Sequence, residues 1–258
     1  MTAVAEPALS GTEREPVVLS WSGGKDSSLA LGALRDDPRV EVVALLTSVT
    51  ARYDRISIHG VRHDLLLQQA EALALPLVEV ALQPECTNAD YEAAFHWAAM
   101  ALRARFPRLR RIAFGDLYLQ DVRAYRERLL SAAGLEGHFP LWGHGTAALA
   151  RRFIALGYRA HLVCVDSTRL APTFAGRVFD DALLAELPET VDPCGEGGEF
   201  HTFVSDGPIF RTAVPVTTGE IVLRDGRFVY CDLLPAEPAA SSADAAGTVA
   251  AASPIVAR

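Results

Sequence analysis

The sequence predicts an α/β protein with a parallel, helix-covered sheet, followed by a smaller α+β domain. Three observations lead there. Apolar strand-like runs alternate with helical patterns through the first 135 residues, the order that builds parallel sheets buried on both faces. A Gly-Gly turn stands between the first strand and the first helix. After that stretch the alternation gives way to segments dense in glycine, charge and aromatics, and to a hairpin.

The elements follow in order. Val17 to Trp21 reads as a buried strand, and Leu29, Ala30, Ala33 and Leu34 mark the helix after the Gly-Gly turn. Glu41 to Val49 is a second strand, and Thr50 to Gly60 a loop. Leu65, Leu66, Gln69 and Leu73 form the buried stripe of a helix over Val61 to Leu75. Leu77 to Leu82 is a short strand. Asn88 to Phe106 is a long helix with Asn88 as its N-cap. Arg111 to Phe114 is a fourth strand, ended by Gly115. Helices over Val122 to Ala133 and Thr146 to Leu156 flank a glycine- and aromatic-rich stretch, and a strand covers Ala160 to Val165. Ile221 to Leu223 and Arg227 to Tyr230, joined through Asp225-Gly226, form a hairpin. The expected division is a disordered N-terminus over 1–15, a first, parallel-sheet domain over 16–135, a smaller α+β domain over 136–235 and a disordered Ala-, Ser- and Pro-rich tail over 236–258.

Composition narrows the function classes. The net charge of −8 is the wrong sign for a protein that grips duplex nucleic acid through phosphates, so no such partner is expected. The one dense basic cluster, Arg103, Arg105, Arg108, Arg110 and Arg111, reads as a solvated helix end. No apolar run is long enough to cross a membrane, and the first 15 residues lack the pattern of a secretory signal; a cytoplasmic location is expected. Cys86, Cys164, Cys194 and Cys231 form no C-x-x-C pair, which argues against a zinc site and a disulfide scaffold. Cys194 is either a buried thiol or, beside a polar motif, a reactive one.

Ser22-Gly23-Gly24-Lys25-Asp26-Ser27 follows a strand and opens a helix. Glycines without Cβ let the backbone approach a ligand, and the exposed N–H groups and helix N-terminus make an anion site. Ser22, Ser27 and Ser28 add hydroxyl donors and Lys25 a positive charge. The loop is not a Walker A motif, because Leu19 stands where the first glycine should be and Asp26 replaces the hydroxyl residue after lysine. The plain alternative is a Gly-Gly turn that caps a helix through Ser22.

S-G-G-K-D-S in this position resembles the PP-loop of the ATP pyrophosphatase, or adenine nucleotide α-hydrolase, superfamily. That resemblance implies a HUP, Rossmann-like fold and cleavage of ATP between its α- and β-phosphates. Four further segments are similar to the diphthine–ammonia ligase-like family: Ile58-His59-Gly60, Phe114-Gly115-Asp116, Phe139-Pro140-Leu141-Trp142, and Gly195-Glu196-Gly197-Gly198-Glu199-Phe200-His201-Thr202. The chain is identified as a member of that family, of its bacterial branch. It departs from the ligases at His201, where they more often carry an acidic residue, and at 117–126, which lacks their S-x-x-Q-R pattern.

The resemblance implies an AMP-forming, C–N bond-forming ligase with ATP and Mg²⁺ as cofactors. Ser22, Gly23, Gly24, Lys25, Asp26, Ser27, Ser28, His59, Gly60 and Asp116 would hold the nucleotide, with Asp116 as the Mg²⁺ ligand. Lys25, Asp26, Glu196, Glu199 and His201 would serve catalysis, the last three by acid–base chemistry or ammonia handling. The acceptor, small molecule or protein, stays open, as do ammonia as nitrogen source and homo-oligomerisation. So do two other functions: adenylation of a different small molecule, cobalamin- or cofactor-related, and non-catalytic nucleotide binding.

Overall fold

A computed structural model of the chain describes residues 14–50, 55–56 and 60–237. The first sheet is built from β1 (Glu15–Ser20), β2 (Val40–Thr50), β3 (Arg55–Ile56), β4 (Leu77–Leu82), β5 (Arg111–Ala113) and β6 (Glu136–His138). β4, β2, β1, β5 and β6 run parallel in that order, and β3 lies antiparallel on the end of β2. β1 is buried on both faces, which is why Val17, Val18 and Leu19 read as an unbroken apolar run. The chain leaves β1 toward β2 on one side and returns to β5 on the other. The crevice between the carboxyl ends of β1 and β5 is therefore the switch point where doubly wound folds bind ligands.

α1 (Lys25–Asp36) and α2 (His63–Leu73) cover one face; α3 (Asn88–Arg105) and α4 (Gln120–Ser131) cover the other. α3 starts on a capping box: the Thr87 hydroxyl accepts from the Asp90 N–H, and the Asp90 carboxylate accepts from the Thr87 N–H. Thr87 is thus the N-cap, and Asn88 the first helical residue.

The second sheet is antiparallel, in the order β8 (Phe200–Asp206), β7 (Arg159–Asp166), β10 (Phe228–Pro235), β9 (Val216–Arg224). α5 (Thr146–Ala155), the 3₁₀ turn Pro172–Phe174 and α6 (Asp181–Glu186) accompany it. The β9–β10 hairpin turns at Asp225 and Gly226, with φ of 51° and 62°, the left-handed pair that an Asp-Gly sequence favours.

Two apolar cores result. One lies under α3 and α4 and contains Val18, Leu46, Phe95, Leu102, Phe114 and Leu130. The other runs without a break from α1 and α2 into the second sheet and joins Leu31, Leu66, Phe153, Leu162 and Phe203. Sequence reasoning placed residues from 136 onward in the second unit, but β6 pairs with β5 and completes the first sheet. It assigned no element to 192–211, the stretch dense in glycine, charge and aromatics where β8 forms. The termini expected to be disordered lie outside the described residues, apart from 14–15 and 236–237.

Candidate active site

The loop after β1 is fixed from three directions. Gly23 adopts φ 77°, and its carbonyl accepts N–H groups from Val204 at 2.9 Å and from the Gln69 side chain at 3.0 Å. Gln69, fully buried on α2, also donates to the Val204 carbonyl and accepts the Trp21 indole N–H at 3.0 Å. A side chain at Gly23 would collide with Gln69 Oε1 at 2.7 Å, so only glycine fits there. The Ser22 and Ser27 hydroxyls lie 3.2 Å apart. Ser27 and Ser28 both donate to the Gly24 carbonyl at 2.9 Å, and Ser28 is wholly buried; it braces the first turn of α1 and does not face a ligand.

Lys25 is placed differently from the sequence expectation. Its ammonium does not line the cavity described below. It is 3% exposed, pairs with Asp26 at 2.7 Å and donates to the Cys194 carbonyl. Burial alone would depress its pKa; Asp26, Cys194 and Glu196 outweigh that and raise it, so the lysine stays charged. Burial raises the Asp26 carboxyl against the opposing pull of Lys25. Asp26 Oδ1 has no hydrogen-bond partner among the described residues.

Asp116 stands just past β5, at the carboxyl edge of the sheet, as the sequence indicated. Both its oxygens are engaged by Arg126 of α4, through Nε at 2.6 Å and Nη2 at 3.3 Å. It is therefore an ion-pair partner here and not an open metal ligand. Gly60 lines a second cavity near β10, away from the loop. His59 lies outside the described residues.

The acidic turn of the second unit meets the loop from above. The Glu196 carboxylate accepts the Leu117 N–H at 2.9 Å and the Tyr118 N–H at 3.4 Å, which ties the turn to the segment after β5. Burial raises its pKa and the Leu117 N–H opposes that. Glu199 is 5% exposed; Oε1 lies 3.7 Å from Arg169, and Oε2 has no hydrogen-bond partner among the described residues. Burial and, secondarily, the charge of Lys25 push the His201 imidazole down to about 4, so it is neutral at physiological pH. Thr202 accepts the Lys25 backbone N–H at 3.0 Å. Cys194 donates its thiol to the Thr146 carbonyl, and burial pushes it up to about 12: an unreactive core thiol.

A cavity of about 610 Å³ opens beside the loop, of the size that takes a nucleotide-like ligand. It is lined by Trp21 and Ser22, by Thr47 and Ser48 of β2, and by Tyr91 and Arg126. Gln69, Thr202 and Arg126 were not singled out in the sequence as site residues. Gln69 was read as part of a buried helical stripe; its amide in that stripe was the available signal.

A model of the diphthamide synthase N-terminal domain matches residues 15–137, and one of the C-terminal domain matches residues 145–232. The chain belongs to the diphthamide synthase family. Its relatives include a protein of Schizosaccharomyces pombe, 26% identical over 218 residues, and one of Rattus norvegicus, 27% identical over 231 residues, each named diphthine–ammonia ligase. Both alignments cover 78% of this chain, but 36% of the yeast protein and 83% of the rat protein. A Homo sapiens protein of the same name is 26% identical over 178 residues, covering 63% of this chain and 66% of its own length. The two family domains follow the two sheets: β1 to β5 fall in the first match and β6 runs one residue past its end, while β7 to β9 fall in the second and β10 runs three residues past its end.

Proposed function

We propose that this diphthamide synthase family member is an ATP-dependent ligase that adenylates a carboxylate and then forms an amide with ammonia. The observation that carries the reading is the cavity at the carboxyl ends of β1 and β2, which takes in Ser20 and Trp21 just before the phosphate loop and Ser22, its first residue. A nucleoside in that cavity would lay its phosphates toward Ser22 and the N-terminus of α1, where the helix end favours anions.

The residues at hand divide the work. Ser22, at the cavity edge, offers its hydroxyl to a phosphate oxygen. The acceptor carboxylate attacks the α-phosphorus, the α–β bond breaks, and pyrophosphate leaves. Ammonia then attacks the acyl carbon, AMP leaves with the bonding electrons, and one proton is released. Glu199, buried with a free oxygen, is suited to accept that proton. Glu196 and Lys25 hold the second unit against the loop. Mg²⁺ sites of this kind use one or two carboxylates plus phosphate oxygens, and Asp26, with Oδ1 unengaged, fits that role better than the paired Asp116. The ion would offset phosphate charge.

The test is product analysis. ATP labelled in the α-phosphate, with magnesium, ammonium and a panel of carboxylic acids and protein extracts as acceptors, should give AMP and pyrophosphate. Glu199→Gln should keep ATP affinity by calorimetry and lower AMP formation by on the order of 10²-fold or more. ADP and phosphate as the only products would sink the mechanism.

A further inference from the structure

The cavity beside the loop poses an electrostatic question. Phosphates are polyanionic, and the lysine that the sequence assigns to them is turned away: its ammonium is spent on Asp26 and the Cys194 carbonyl. Among the described residues that line the cavity, Arg126 is the one cation. Its guanidinium is fixed on several sides. Asp116 engages Nε and Nη2, the Phe114 ring lies 4.5 Å beneath the guanidinium carbon, and the Tyr91 oxygen stands beside it as a hydrogen-bond acceptor. The side chain remains 25% exposed.

We propose that Arg126 is a phosphate-binding residue of the nucleotide site and that Asp116 is its anchor. The inference rests on the ATP reading given above. An arginine held by a carboxylate and an aromatic face has lost its rotamer freedom before the ligand arrives, so little ordering remains to be done on binding. A planar fork can meet two phosphate oxygens at once, which a lysine cannot. The position agrees with the fold. Asp116 follows Gly115, whose Cα packs against the backbone of Asp26 and Ser27, so the Asp116–Arg126 pair stands directly beside the N-terminus of α1. α4 thereby supplies from the side the charge that Lys25 does not.

The test compares ligands that differ only in phosphate. ATP, AMP and adenosine are titrated calorimetrically into the wild-type chain, Arg126→Met, Arg126→Lys and Asp116→Asn, with melting temperatures recorded for each. Arg126→Met should lose about tenfold or more in affinity for ATP and AMP, because a charge-assisted hydrogen bond contributes at least that factor. Its affinity for adenosine should not change. Arg126→Lys should lie between, and Asp116→Asn should weaken ATP and AMP while sparing adenosine, since it loosens the fork without removing it. If Arg126→Met does not fold, Arg126→Lys carries the same comparison. Unchanged ATP affinity in the arginine variants, beside clear binding by the wild type, overturns this assignment and leaves the ligase reading standing. An equal loss for adenosine also overturns it, because Arg126 would then only shape the cavity. Failure of the wild type to bind ATP overturns both.

Discussion

His201 shows how a single side chain reports its surroundings. It sits on β8 beside Lys25, and burial together with that ammonium drives its pKa from 6.5 to about 4. The unfolded chain therefore binds a proton at a higher pH than the folded one. Between about 6.5 and about 4 the unfolded state holds more protons, so stability falls as pH falls through that window. Thermal melts at stepped pH should show this loss in the wild type and a smaller one in His201→Gln; identical slopes in the two would show that His201 does not titrate differently on folding. The sequence exposed His201, Glu196 and Glu199 as a cluster because glycines crowd around them. It could not show that the three differ in condition: Glu196 bound to two backbone N–H groups, Glu199 with an oxygen left over, His201 held neutral. Partner choice of that kind depends on contacts 79 residues apart, such as Glu196 with Leu117, and local pattern carries no trace of them.

At the scale of elements, the join of β5 and α1 is the tightest point of the site. A Cβ on Gly115 would stand 2.9 Å from the Asp26 carbonyl carbon and 3.0 Å from the Ser27 nitrogen. Both are backbone atoms of the first helical turn and cannot swing aside. Gly115→Ala should therefore push α1 off the sheet, costing about 1–3 kcal/mol in denaturant unfolding and weakening ATP binding in the same variant. A variant as stable as the wild type, with full ATP affinity, would show that the join has slack. The sequence read this glycine as the end of a strand and as part of the Phe114-Gly115-Asp116 segment, and gave no sign of its contact with α1. Four of the five parallel strands and the four helices of the first sheet were legible because each carries its own apolar pattern and its own stops. β8 was not, because the glycine-rich motif runs straight into it and its middle, Thr202 to Ser205, is buried on both faces, which leaves no alternation of buried and outward residues to read. β6 consists of Glu136, Gly137 and His138, with none of the apolar residues that mark the equally short β5. Its place depends on β5 beside it.

For the whole molecule, the division of labour between two sheets does not imply two independent folding units. The larger core contains Leu31 and Leu66 from the first unit and Phe153, Leu162 and Phe203 from the second, in one contiguous cluster. Polar links cross the same boundary: Gly23 to Val204, Lys25 to Thr202 and Cys194, Gln69 to Val204. Separating the units would expose the apolar faces of α1 and α2 and strand the buried amide of Gln69, which costs free energy unless water repairs it. The chain should therefore unfold in a single calorimetric transition, with the calorimetric enthalpy equal to the van't Hoff value. Saturating ATP should move that one transition upward, by about 2.7 kcal/mol of stabilisation at a hundred times its dissociation constant. A fragment ending at residue 144 should not hold a native fold or bind ATP, since its α1 and α2 lack their cover and its phosphate loop lacks Thr202 and Val204. Two separated transitions, with only the first shifted by ATP, would show that the first sheet and its loop form a complete nucleotide site without the second. The C-terminal unit would then be an added substrate module and no longer part of the wall that shapes the loop.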